Sequence, residues 1–555
     1  MNPARAIIKW TIGVVLSVII GGCADENTVP DAPGPEFDLL VTPVGSVRFP
    51  NGCNAEAAPL IERGVALIHH MMYEEADFVF TMAMGADQEC GLAYWGQAMA
   101  IVHPLWPDRS STSQISRGRS LMEKALAVGG TDEREEGYLK TAVAYFAGGH
   151  NIQESDRLTK MEKAWSALHN AYPDDVDAKA FYALFKVATA SISDPELIEQ
   201  KQAGQMAQEI LVDNPDHPGA HHYLIHAYDF PSLAAFAEST ADNYGKITPR
   251  VPHATHMMTH TYTRLGKWDK AIEWNSISAE TALALCIENG EVNLHYTHAL
   301  DYLAYAYLQK AEDEKVQQVL NDADELKPPY SSVNRIASAY AFSALPARYA
   351  LERQDWVAAM DLSPRSPADF PWVKEHDPYV AITHFARAIG FARAGMPDQA
   401  NEDIQMLEIM RDEIATYSEY WAKQVEIQRL SSLAWQKFAK GDKDAGAEHM
   451  KMAADLEATT EKNAVTPGEV LPAAELYGDM LLELGEYEDA LSAYRVSLVR
   501  NRGRYNSLLG AGRAAMNLGD KATARQYFYE LLENTNLAGE TRATLSKARE
   551  MIKEL

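Results

Sequence analysis

Two stretches near the C-terminus share one spacing of apolar and polar positions. LYGDMLLELGEYEDALSAYRVSL (476–498) and LGAGRAAMNLGDKATARQYFYELL (509–532) align without a gap. Gly478 matches Gly512, Gly485 matches Gly519, Ala490 matches Ala524 and Tyr494 matches Phe528, every pair at an offset of 34. The pattern predicts two helices joined at a turn. Neither helix can bury its apolar face alone, so small residues let the pair approach and neighbouring units stack. The same spacing recurs with more divergence in Gly64 and Ala76 with MYEEADFVF, in AYWGQAMA (93–100) and in LGKWDKAIEW (265–274). It fits more loosely at 164–185 and 388–407. No period-two alternation is long enough for a strand. The Pro-rich stretches DLSPRSPADFPW (361–372) and AVTPGEVLPAA (464–474) predict loops between blocks. GAGRAA (510–515) mimics a dinucleotide fingerprint, but no strand precedes it and its glycines fall on repeat positions.

A period of 34 with Gly, Ala and an aromatic at these intervals resembles the tetratricopeptide repeat (TPR). The resemblance implies an all-α, TPR-type helical-hairpin solenoid of about 11–13 helix pairs. Expected divisions are a His-rich divergent array at 46–330, middle repeats at 331–465 and a regular C-terminal pair at 466–555. The 47% hydrophobic content supplies a large core. With 78 Asp+Glu against 50 Lys+Arg, the chain lacks the clustered positive charge that nucleic acid demands.

The first 22 residues, MNPARAIIKWTIGVVLSVIIGG, have a basic start, an apolar run from Trp10 to Ile20, and small residues before Cys23. That order predicts a secretory signal, the run being too short for a stable span. Ile20-Gly21-Gly22-Cys23 resembles the bacterial lipobox, which implies lipidation of Cys23, a lipid anchor as the chain's membrane contact, and an outer-membrane lipoprotein facing the periplasm. Residues 23–45, rich in Pro and acidic side chains, are expected to form a flexible tether. Export permits disulfides, and Cys53 and Cys90 flank the first predicted helical pair, so a bond between them is expected. Cys286 is left over as a small buried residue.

Nine of the 17 histidines lie between 217 and 298, in HPGAHHYLIHAYD (217–229), PHATHMMTH (252–260) and LHYTHALDYLAYAY (294–307). Steps of three and four bring His253, His256 and His260 to one helical face. With Ala271 at the repeat's small position, the TPR resemblance implies that these three line the concave groove. On the next unit His298, Asp301 and Tyr305 take the corresponding places. His222 and His226 stand one turn apart in the preceding segment, with Asp229 near the same face. A His pair four apart on a helix is a standard way to put two imidazole nitrogens on one metal ion. His222, His226, His253, His256, His260 and His298 are therefore expected to converge on a transition metal, with Zn or Cu favoured by nitrogen ligands. His69, His103, Asp229, Asp301 and Tyr305 are further candidates. The usual HExxH base is absent, so any chemistry would need Glu75, Asp229 or Asp301. His150, His169, His376, His384 and His449 are expected to be ordinary packed or surface residues, and His70, His217, His221 and His295 solvated neighbours.

These segments, together with IVHPLW, are similar to secreted bacterial TPR proteins carrying HPGA-x-HYLIHAYD and PHA-x-HM-x-x-H signatures. The likeness covers about residues 50–310, and the histidines at 69, 103, 222, 226, 253, 256 and 260 match it. Asp301 stands where many of those proteins carry His. The expectation is an envelope-anchored TPR lipoprotein whose histidine-lined groove binds a metal and a protein or peptide partner. The alternatives are a metal-dependent hydrolase or oxidase, and a metal-free adaptor.

Overall fold

In a computed structural model describing residues 37–106, 109–192, 194–539 and 542–554, Gly478 sits against the ring of Tyr494, where an added Cβ would come within 2.9 Å. Gly512 meets Phe528 in the same way at 2.5 Å, and Gly64 meets Phe80 at 2.6 Å. The small residue of each first helix thus makes room for the aromatic of its second, as the matched positions require. Gly485 and Gly519 end the first helices with φ of +84° and +78°, a left-handed conformation that glycine adopts without a Cβ penalty. The hairpins are Ala473–Leu484 with Tyr487–Arg500, and Tyr505–Asn517 with Lys521–Asn534.

Helices follow one another in this manner along the chain, each packed on its neighbours in sequence. Among the described residues there are 25 α-helices and no strand, apart from an isolated bridge between Val292 and Tyr330. The architecture is an all-α solenoid of the tetratricopeptide type. None of the described helices is long and apolar enough to cross a membrane. The predicted signal segment and Cys23 lie outside the described residues.

The expected tether needs a correction at its C-terminal end. Phe37 and Val44 are buried, and Arg63 donates to the carbonyls of Leu39 (2.8 Å) and Thr42 (2.7 Å). The Arg63 hydrogen bonds tie this segment to the helix Ala58–His69, whatever the Pro-rich composition upstream suggests. Cys53 and Cys90 are joined by a disulfide, and Cys286 is free and buried. Apolar packing runs through both expected block boundaries, since one cluster joins Val292 to Met480 across residue 330 and residue 465.

The array also closes on itself. Trp268 donates to the Gly503 carbonyl at 3.1 Å, Arg542 pairs with Asp313 at 2.6 Å, and the backbone N–H of Tyr505 donates to Gln309 at 2.9 Å. The loop expected at 464–474 lies inside this closure. Its backbone carbonyls are met by side chains rather than by a helix or sheet. Arg348 donates to the carbonyls of Gly468 (2.8 Å) and Glu469 (3.0 Å), and Tyr302 to that of Thr466 (3.1 Å). Residues 460–469 form a strap across the inner face, between the helices Lys443–Glu457 and Ala473–Leu484.

His70 is fully buried rather than solvated, its Nδ1 with the Tyr244 hydroxyl at 2.8 Å and its Nε2 donating to the Val44 carbonyl at 3.0 Å. Burial pushes it down from 6.5 to about 3, and burial likewise lowers His69 to about 4. Between these values and 6.5 the unfolded chain binds protons that the folded chain does not. Stability is therefore full above pH 6.5 and lost as pH falls, by roughly 1.4 kcal/mol per pH unit for each such ring. The metal-free protein is expected to lose urea resistance steadily from pH 6.5 to pH 4, with a shallower slope in His70→Gln. An unchanged slope in that variant would refute the assignment.

Candidate metal centre

Three helices present the histidines. Pro218–Ala227 carries His222 and His226; Pro252–Arg264 carries His253, His256 and His260; Leu294–Gln309 carries His295 and His298. Proline opens the first two helices, where its fixed φ suits the first turn and its missing N–H costs nothing. The middle helix packs on both others, so the predicted rings meet.

Five rings form a closed circuit. Centroids are 4.9 Å apart for His222–His226, 5.7 Å for His226–His260, 5.0 Å for His260–His256, 6.1 Å for His256–His253 and 5.1 Å for His253–His222. His298 lies 4.3 Å from His256, and His295 5.4 Å from His253. The structure thus brings all six predicted ligands together. It does not leave them on an open groove: His222 is 0% exposed, His256 and His260 2%, and His298 7%. Neighbouring helices and the strap cover them.

The outer nitrogens are committed. His222 Nδ1 donates to the His69 carbonyl (2.6 Å), His256 Nδ1 to Asn275 Oδ1 (2.9 Å) and His260 Nδ1 to Asp229 Oδ2 (3.0 Å). Each donation fixes the tautomer that leaves a lone pair on Nε2. Several ring nitrogens of the cluster have no partner at all. Nε2 of His222, Nε2 of His226 and both nitrogens of His253 are buried without a hydrogen-bond partner. Nε2 of His256 and Nε2 of His260 face each other at 3.1 Å. Buried polar atoms are normally paired, so several orphans in one place mark a site fitted to receive water or an ion. Burial holds His222 down at about 3 and His226, His253, His256 and His298 well below the usual imidazole range, with neighbouring rings adding to the effect. The rings are neutral at pH 7, the form in which imidazole binds metal.

The further candidates have other partners. His69 is spent on Tyr223 (2.8 Å) and Asp177 (2.9 Å), and His217 shares that carboxylate at 3.3 Å. This His69–Asp177–His217 group is hydrogen-bonded throughout, and His69 serves the cluster only by its carbonyl. His103 stacks on Tyr73 and lies tilted against Trp106, and the Trp106 ring in turn lies 6.1 Å from His253. Asp229 orients His260 while holding Arg264 (2.9 Å) and Lys462 (2.7 Å), so its role is positioning. Asp301 pairs with Arg348 at 3.1 Å, and the Tyr305 ring lies against the same guanidinium. Neither makes its contacts with the cluster. Burial pushes Glu75 up to about 7, and its charged neighbour is Glu74. His217, His221 and His295 are buried, not solvated.

Sequence reasoning missed Tyr302, whose ring is 4.5 Å from His256 and whose hydroxyl is 3.3 Å from His260 Nδ1. Its place four residues after His298 was the available signal. Asn275, on the second helix of the hairpin, and Lys462, 233 residues from Asp229 along the chain, gave none.

A cleft of 1130 Å³ lined by Phe230, Leu265, Thr460, Glu461, Leu498 and Arg500 borders the strap's first residues.

No family model matches the sequence, and neither does any curated protein. Among solved structures, the chain is similar to one in the APC/C hetero-tetramer Cut9-Hcn1, at 12% identity over 90% of this chain and 96% of that one, with a TM-score of 0.30. It is similar also to a human IFIT1 dimer with m7Gppp-AAAA, at 14% identity over 87% of this chain and 91% of that one, with a TM-score of 0.36.

Proposed function

We propose that this chain is an exported, lipid-anchored bacterial metalloprotein in which a repeat scaffold holds a transition metal, copper or zinc, within a histidine cluster. The observation that carries the reading is the convergence of six buried rings, three of them oriented by hydrogen bonds at Nδ1, with unpartnered nitrogens among them. His222, His226, His253, His256, His260 and His298 would be the ligands, and Asn275, Asp229 and the His69 carbonyl would orient them. All-nitrogen donors suit copper and zinc and not calcium or magnesium. Bound there, such an ion would supply an electrophilic centre in a nearly dry site. A repeat scaffold also offers surfaces to protein partners. Beside the histidines, however, the chain's own strap takes the place expected for a peptide.

Elemental analysis of the full chain purified from its native envelope tests the metal. Copper or zinc should be present, and His256→Asn/His260→Asn should carry measurably less of it while keeping its helical circular dichroism. Asp229→Asn should weaken binding by roughly 10–100-fold, because the orienting partner of His260 is altered. Metal content unchanged in the double variant would sink the site. The anchor is checked separately: Cys23→Ala should leave the membrane fraction, and its retention there would remove the lipoprotein reading.

A further inference from the structure

Six imidazoles exceed what one four-coordinate zinc or copper ion takes up. They fall into two groups, His222 with His226 and His253, and His256 with His260 and His298. Within each group one ligand nitrogen per ring lies within 4.8 Å of the others. The groups are built alike. Each takes a pair four residues apart on one helix and a third ring from the next of the three histidine-bearing helices.

Building on the metal reading above, we propose that the cluster holds two transition-metal ions, one on each triad, bridged by a small anion such as hydroxide. The triads abut along two edges, His226 to His260 at 5.7 Å and His253 to His256 at 6.1 Å between centroids. Two-metal sites hold their ions about 3.5–4 Å apart, a separation suited to triads in ring contact. Three nitrogens leave each tetrahedral ion one open position. Charge then selects the occupant of those positions. Neutral rings bring no negative charge, and Asp229, the carboxylate bonded to the cluster, already faces Arg264 and Lys462. Two buried dications need an anion beside them, since an uncompensated buried charge is costly. A single bridging anion at the shared edge serves both ions.

The test is titration of the metal-free full chain with Cu(II), followed by desalting, elemental counting and integration of the electron paramagnetic resonance signal. Two coppers per chain are expected, with well under one spin in total because bridged Cu(II) ions couple. His226→Asn and His298→Asn should each retain one copper and give close to one full spin. One copper with one full spin in the parent chain overturns the pair and leaves a single-ion site standing. Two coppers with two full spins overturn the bridge. No binding of copper or zinc overturns both this inference and the metal reading. The parent chain's count decides the matter even if a variant fails to fold.

Discussion

Arg504→Met is expected to cost the fold roughly 5 kcal/mol or more, because it strands two buried carboxylates at once. Arg504 is fully buried, and its guanidinium reaches Glu352 at 2.6 Å and Glu475 at 2.7 Å, both carboxylates being buried as well. These groups come from three helices, Arg335–Glu352, Ala473–Leu484 and, at its N-cap, Tyr505–Asn517. The cluster therefore fastens the regular C-terminal pair to the middle of the array. Burial already pushes Glu352 up, and loss of the arginine would drive it further, so that it takes a proton. A carboxyl raised in the folded state is favoured as pH falls, so the deficit relative to the parent should narrow from pH 7.5 towards pH 5. Chemical denaturation at the two pH values measures both effects. Adding Glu352→Gln and Glu475→Gln to the variant should restore most of the loss, since no charge is then left alone. A deficit below about 1 kcal/mol for Arg504→Met would show that the triad does not hold the blocks together.

That docking was invisible in the repeat pattern, which reads contacts inside a hairpin and between neighbours. The 34-residue offset located Gly478 against Tyr494 and Gly512 against Phe528 because those contacts are local. The same locality explains what was legible in the site. Steps of three and four put His253, His256 and His260 on one face, and adjacent units brought His222, His226 and His298 beside them. What could not be read was the cover over them. It comes from Lys462 and Thr466 on a distant loop and from the His69 carbonyl on the first helix, and no periodicity links those segments. The assignment of Asp301 and Tyr305 erred by one step around the helix. His298 and Tyr302 form the stripe facing the histidines, whereas Asp301 and Tyr305 form the adjoining stripe facing Arg348. Both stripes point inward because the interior is filled by the strap.

Arg348→Met should open that interior. The buried guanidinium holds Asp301 at 3.1 Å, the Thr466 hydroxyl at 2.9 Å, and the carbonyls of Gly468 at 2.8 Å and Glu469 at 3.0 Å. Its removal leaves Asp301 buried without its cation, at a cost of about 3–5 kcal/mol, and deprives the strap of three hydrogen bonds. Gly468→Val attacks the same contact without removing a charge. A Cβ at 468 would stand 2.9 Å from the Tyr305 hydroxyl, so the larger side chain has to push the strap outward. Thr466 receives the Tyr302 hydroxyl and Lys462 covers Asp229, so a displaced strap exposes the rings of His256, His260 and His298. Each 1.4 kcal/mol taken from the closed state raises the open population tenfold. Diethyl pyrocarbonate labelling of the metal-free protein, read by peptide mapping, should therefore accelerate at least about tenfold at those three histidines in both variants. His70, held between Tyr244 and the Val44 carbonyl, should keep its parent rate. Equal acceleration at His70 would mean general loosening of the fold. Unchanged labelling of the three in Gly468→Val, with the protein folded, would show that the strap does not close the site.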